Sequence, residues 1–286
     1  MKRFLLLFLL FPLHSFACSC DQLPVALEFL TAKYVFWGSV IGKEYAKDFR
    51  TYTVTLRVNK HFKENKQNPQ VLTFTEEAEG SITGHYTSCD FSVNKGENWL
   101  VYAYDYNGKL TFSYYCSNSK PYGTLADVRK QELEILEAGN KINVHRIVFE
   151  RNSSNVGYSK EYQRPEPKVP LDTLLAQLDS KDYESLDDSH FENFIISINS
   201  KGKITKVLVL RRRTKNWEIK EVYGVVYAEY TPVDSLNTEL QNEIIREIKK
   251  GKSWQPATFM GRKVNSQIYI QVYFKRNRKP YASDIY

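Results

Sequence analysis

The chain has 286 residues, of which 42% are hydrophobic and 14% aromatic, and its formal net charge is +7. That composition excludes wholesale disorder and suits two modest cores. The positive balance is mild. It is compatible with an anionic cell surface but is not by itself a nucleic-acid signature.

The first residues read as a leader. Lys2 and Arg3 precede an apolar run from Phe4 to Leu13, interrupted only by Pro12, and Ser15-Phe16-Ala17 supplies small residues at a cleavage point. The run is too short to cross a bilayer core of about 30 Å, which takes about 20 helical residues. Residues 1–17 are therefore expected to be a signal peptide cut between Ala17 and Cys18. Two outcomes stay open: a free terminus in a periplasmic or secreted protein, or acylation of Cys18 in an outer-membrane lipoprotein. Ser15 stands where lipoprotein signals carry Leu. The cysteines are Cys18, Cys20, Cys89 and Cys116. Four in an exported chain read as two bridges, and acylating Cys18 would strand one of the others.

The elements follow in order. Asp21 to Ala32 carries a helical stripe of Leu23, Ala26, Leu27 and Leu30. Tyr34 to Tyr45, Thr51 to Val58 and Gln70 to Thr75 read as strands, the last followed by an acidic turn at Glu76-Glu77. Trp99 to Tyr104 is a buried strand. Asp105-Tyr106-Asn107-Gly108 is a hairpin turn, and Lys109 to Tyr115 is the return strand. Thr124 to Ala138 closes with a helix stopped by Gly139. Short strands flanked by helices suggest a small closed barrel, the five-stranded OB type being one option. Residues 140–189 read as a linker containing the stiff tract Arg164 to Pro170 and a short helix, Leu171 to Leu178. Asn152-Ser153-Ser154 matches a glycosylation triplet of little weight.

A second unit starts near residue 190. Phe194, Ile196 and Ile198 alternate, Ser200 to Lys203 makes a turn, and Ile204 to Leu210 is the partner strand. Glu218 to Tyr230 is a third strand. A helix capped by Asp234 or Ser235 runs to Lys250, and Gln267 to Phe274 is a last strand. Residues 190–276 should form a small α+β domain, one helix on an antiparallel sheet, followed by a basic tail at 277–286. Arg211-Arg212-Arg213 reads as a solvated strand end and Trp254 as core.

The front segment resembles the netrin-like family that includes the tissue inhibitors of metalloproteinases. Mature chains of that family begin Cys-x-Cys, as Cys18-Ser19-Cys20 would. The separations Cys18 to Cys89 and Cys20 to Cys116 match the family's bridges. Lys33-Tyr34-Val35-Phe36-Trp37-Gly38-Ser39-Val40 is similar to its first strand, and Gly96 with Trp99-Leu100-Val101 to another. The resemblance implies an all-β, OB-type five-stranded barrel over residues 18–139 and the bridges Cys18–Cys89 and Cys20–Cys116. It also implies contacts to a protease through Cys18, Ser19 and Cys20, with the amine and carbonyl of Cys18 chelating the partner's zinc. Asp21 and Gln22 stand where the inhibitors have apolar residues, and the family's third bridge in this domain has no counterpart here.

The rear segment resembles the carboxy-terminal domain of TonB-type energy transducers. The matching residues are Ile196-x-Ile198, Gly202-x-Ile204, the helix before Gly251, Trp254-x-Pro256-Ala257, Gly261 and Val264. The resemblance implies docking to partner proteins by strand pairing at an exposed edge.

Catalytic patterns are scarce. His14, His61, His85, His145 and His190 form no His-Glu-x-x-His, and neither a Gly-x-Ser-x-Gly elbow nor a phosphate-binding glycine loop occurs. The expectation is an exported, non-enzymatic protein-binding module of the bacterial envelope, without cofactor. The alternative is a metalloprotease inhibitor acting through Cys18. The partner is a protein, either an envelope protein or a zinc metalloprotease, not nucleic acid. A membrane enters only if Cys18 carries lipid.

Overall fold

The computed structural model describes residues 22–150, 160–179, 183, 186, 190–211, 217–275 and 278–284. The protein is mostly β, 41% strand and 20% helix, with a curled antiparallel half-barrel sheet. The chain divides into two compact units. One holds residue 22 and Ala32–Val128; the other holds Leu23–Thr31 and everything from Arg129 on. The helix before the first strand therefore belongs with the second unit.

The first unit is a six-stranded sheet of β1 (Tyr34–Tyr45), β2 (Thr51–His61), β3 (Val71–Glu77), β4 (Asn98–Tyr106), β5 (Lys109–Thr111) and β6 (Lys120–Tyr122). The order is β3-β2-β1-β4-β5, with β6 also on β4. The register of β1 against β2 shifts at Trp37/Gly38 and again at Val40/Gly42. Such bulges bend a strand and steepen its twist, which curls the sheet. Gly38 is required at the first bend. A Cβ there would lie 2.7 Å from the Arg57 carbonyl oxygen and 2.9 Å from the Phe36 ring.

Strict alternation aims Tyr52, Val54, Leu56 and Val58 inward from β2, and Leu72, Phe74 and Glu76 inward from β3. The apolar members meet Phe36, Trp99 and Phe112 in one core. The Phe74 ring lies 5.1 Å from Phe112 and 6.2 Å from Phe36. Asn107 and Gly108, both at positive φ, make the expected turn.

The second unit has helices α1 (Val25–Thr31), α2 (Lys130–Glu137), α3 (Leu171–Leu175) and α4 (Glu239–Lys250). Its strands of three or more residues are β7 (Val148–Glu150), β8 (Phe191–Ile198), β9 (Ile204–Val209), β10 (Trp217–Val222), β11 (Val225–Tyr230), β12 (Asn265–Tyr273) and β13 (Tyr281–Asp284). The main sheet runs β9-β8-β12-β13, with β7 parallel to β12. Ile244 and Ile248 of α4 pack with Phe194, Ile196, Ile198, Ile270 and Val272 on one sheet face. A smaller core joins Leu27 of α1 to Ile147, Phe149, Val225 and Phe259.

Several expected elements differ. Glu218 to Tyr230 is a hairpin, not one strand, because Tyr223 and Gly224 both take positive φ and reverse the chain. The long helix from residue 234 splits. A short 3-10 turn covers Asp234–Leu236, and α4 begins after Thr238, whose hydroxyl accepts from Gln241 in a capping box. The helix expected from Thr124 likewise resolves into a 3-10 turn, Leu125–Asp127, and α2. Residues 140–189, read as a linker, contribute β7, α3 and the fully buried Phe149. The tail at 277–286 contributes β13. Glu76 and Glu77 end a strand rather than form a turn.

Phe74→Ala should destabilise the protein by about 3–5 kcal/mol, since it removes a fully buried ring touched on two sides. Urea unfolding followed by tryptophan fluorescence measures this. A change within about 0.5 kcal/mol would contradict the packing.

Candidate functional site

Two connections of the first unit, β3–β4 and β5–β6, carry Cys89 and Cys116. Both cysteines are disulfide-bonded, and no described cysteine is free. The connections are tied to each other: Tyr115 Oη donates to the Asp90 carbonyl at 3.1 Å. Local side chains shape each loop. Thr87 Oγ1 accepts from the Cys89 N–H, and Ser113 Oγ from the Cys116 N–H, each at 3.3 Å. The Asp90 carboxylate accepts from Thr87 Oγ1 at 2.7 Å and from the Gly80 N–H at 2.9 Å. The Thr87 bond leads in holding Asp90 below the usual carboxylate range.

Beyond Cys116 the chain dives inward, and Ser117, Asn118 and Ser119 are all buried. Ser119 Oγ accepts from the Tyr102 N–H at 2.9 Å, and Gln22 Nε2 donates to Asn118 Oδ1 at 2.6 Å. The chain at Gln22 is thus held beside the chain at Asn118.

A cleft of about 460 Å³ opens where β3 meets β5, with Cys89 on its lining. Glu76, Glu77, Glu79 and Asp90 line it, opposed by Lys109. Glu76 spans the seam, accepting from the Phe112 N–H at 3.1 Å and from Thr111 Oγ1 at 3.2 Å to each carboxyl oxygen. Burial pushes its pKa up to about 7, against the lowering effect of those hydrogen bonds. Glu79 goes the other way. Burial would raise it, but donors outweigh burial: Lys43 Nζ and Ser92 Oγ bond to one oxygen and Tyr45 Oη to the other, holding it at about 2. Lys43 also sits 4.3 Å from the centroid of the Tyr52 ring. Among the exposed apolar side chains of this unit are Ile82, Tyr86 and Tyr115 on the connections and Tyr106 at the cleft. Among the described residues no group of three or more His, Cys, Asp or Glu could hold a metal ion, and no helix is long and apolar enough to cross a membrane.

The cleavage point Ala17–Cys18, the contact residues Cys18, Ser19 and Cys20, the triplet at Asn152 and the arginines 212 and 213 lie outside the described residues. Of the sequence-expected site residues, the structure describes Cys89 and Cys116 and brings their loops together. Trp254 is core, as expected. Arg211 is not a solvated strand end. Its guanidinium donates to the Leu236 carbonyl, Asn237 Oδ1 and Gln241 Oε1 at the start of α4.

Sequence reasoning missed Glu76, Glu79 and Lys43. The signal for Glu76 was present, since Leu72, Phe74 and Glu76 share one parity and the third inward position is a carboxylate. In the second unit, the far edge of β12 is already paired, by β7 along Asn265–Gln267 and by β13 along Ile270–Tyr273. No family model and no curated protein matches this chain.

Lys43→Met should cost about 1–3 kcal/mol at neutral pH, because the partly buried carboxylate of Glu79 loses its cation. Glu79 is depressed when folded, so its stabilisation is present above its ordinary 4.5 and is lost as pH falls toward about 2. The gap between wild type and variant should therefore close across that window. Urea midpoints at a series of pH values report it, and a pH-independent gap would refute the pairing.

Proposed function

We propose that the protein is an exported, non-enzymatic protein-binding module that meets its partner with the disulfide-bonded end of the first unit. The observation that carries this reading is the oxidised state of Cys89 and Cys116 on two connections bound to each other through Tyr115 and Asp90. Structural disulfides belong to oxidising compartments, which supports export. Exposed tyrosines beside a cleft are the residue type that supplies rigid contact area at protein interfaces. The strand order supports the OB-type reading. Followed around the seam at Glu76, it runs β1-β2-β3-β5-β4 and returns to β1.

The Gln22–Asn118 hydrogen bond favours the pairing Cys20–Cys116, each cysteine lying two residues before its bonded neighbour, and leaves Cys18 for Cys89. It also keeps alive a second reading, in which a free Cys18 amine, pinned to this end with Ser19 beside it, chelates the catalytic zinc of a protease. Strand addition at the rear sheet would have to use β9 or β13, since the far edge of β12 is filled by the chain's own β7 and β13.

Intact-mass and non-reducing peptide mapping of the exported protein should give a chain starting at Cys18, lighter by the hydrogens of two disulfides, without lipid and with Cys18–Cys89 and Cys20–Cys116 linked. Each bridge should add about 3–5 kcal/mol. A mass carrying acyl chains, or a Cys89–Cys116 peptide, would overturn the clamp. For binding, the partner cross-linked in envelope extract should be recovered at least about tenfold less with Tyr86→Ala/Tyr115→Ala. Equal recovery would refute this face as the binding surface. Zinc-endopeptidase inhibition abolished by acetylating the terminus would select the second reading.

A further inference from the structure

We infer that the free edge of β10 pairs with the β10 of a second copy of this chain, joining two hairpins into one antiparallel sheet about a twofold axis. β10 and β11 form a two-stranded sheet, and among the described residues no further strand joins either of its edges. The second unit holds this hairpin by β11. The Ala228 N–H donates to Glu150 at 3.2 Å, and the Ala228 carbonyl accepts from Gln267 Nε2 at 3.0 Å. The backbone groups of Ala228 therefore point away from β10. In an antiparallel ladder the residue directly opposite then turns its own groups outward as well, on the other side. That residue is Ile219, and Trp217 and Glu221 share its phase. Their N–H and C=O groups line the outer edge of β10, where no backbone partner meets them among the described residues.

Little guards this edge. It has no proline, and its register with β11 runs without a bulge from Trp217 to Val222. Trp217 is 39% exposed and Ile219 60%. The edge lysine, Lys220, lies 2.5 Å from the carboxylate of Glu218 on the same strand, so the edge presents both signs of charge.

That charge order selects the occupant and the register. Antiparallel and centred on Ile219, two copies of Trp217-Glu218-Ile219-Lys220-Glu221 set Ile219 against Ile219 and Glu218 against Lys220 on both sides of the axis. The charges form a checkerboard of alternating sign. Slipping one step toward the start of β10 sets Glu218 against Glu218, and slipping toward its end sets Lys220 against Lys220. Like charges directly opposite are destabilising, while opposite charges and apolar pairs stabilise. The twofold makes the contact self-complementary and closed, so pairing stops at a dimer. One short ladder is a small interface, and association is weak and concentration-dependent. The contact does not depend on the binding reading above, which concerns the first unit.

The test is sedimentation equilibrium of the full chain from about 5 μM to about 1 mM. The wild type should pass from monomer to dimer. Glu218→Lys and Lys220→Glu each oppose like charges across the axis, and each alone should weaken the dimer at least about tenfold. An equimolar mixture of the two variants should dimerise again, because each then meets the opposite charge. Mixing cannot repair a fault within either chain, so rescue reads pairing between chains. Ile219→Pro removes an N–H that the hairpin does not use, and it should abolish the dimer while leaving the urea midpoint near that of the wild type. If Ile219→Pro does not fold, the charge variants decide alone. A monomer at every concentration, a dimer indifferent to the charge variants, or the absence of rescue on mixing would overturn the inference.

Discussion

A sheet that curls upon itself must do something with its two outer strands, and in the first unit both outer strands arrive at one carboxyl group. Glu76 on β3 holds Thr111 and Phe112 at the end of β5. The aromatic core depends on that meeting, because Phe112 is the ring that Phe74, Phe91 and Trp99 all approach. An apolar side chain at position 76 could pack there but could not hold the Phe112 N–H. Its neighbourhood also explains the cleft. The two strands are bridged by a side chain rather than by backbone hydrogen bonds, and the gap left between them is the opening lined by acids.

The second unit's sheet does not return on itself: its strand order ends at β9 on one side and at β13 on the other. Its sheet meets β7 and β13 along the outer side of β12, so backbone groups there pair within the chain. Anchors reinforce the last strand. The Ala282 N–H donates to Asp172 Oδ1 at 2.8 Å, Arg164 pairs with Asp284, and the Tyr281 ring stacks on Tyr273 at 5.2 Å. Gly202 is fixed by a comparable closeness. With φ of +75° at the β8–β9 turn, it lies against the Trp254 carbonyl so tightly that any Cβ would collide. Gly202 and Trp254 are thus coupled through one close backbone contact.

Much of the architecture was legible in the residues. Alternation marked β2 and β3, Asn107-Gly108 marked its turn, and the spacing of Ile244 and Ile248 marked the buried side of α4. Other features were hidden by competing local rules. Two adjacent glutamates look like a turn unless the parity of Leu72 and Phe74 is carried forward. Tyr223-Gly224 is a weaker turn signal than Asn-Gly, so the hairpin read as one strand. Thr238 was masked by the earlier cap candidates Asp234 and Ser235. The Lys43–Glu79 pair could not be read at all, because it joins side chains brought together only by the fold. The cysteines were conspicuous in sequence, but the contact between their loops depends on Tyr115 reaching a backbone carbonyl.

Helix α1 has a consequence for assembly. It precedes β1 in the chain, yet its Leu27 belongs to the small core of the second unit. Residues 32–128 therefore form an insertion within another folding unit. During synthesis α1 emerges first and must wait for α2 and the strands that follow. If the inserted sheet folds in the meantime, the long loop between α1 and α2 becomes a structured bridge whose ends are already constrained, reducing the entropy lost when they meet. The second unit is thus completed only when segments from both sides of residues 32–128 in the chain have come together.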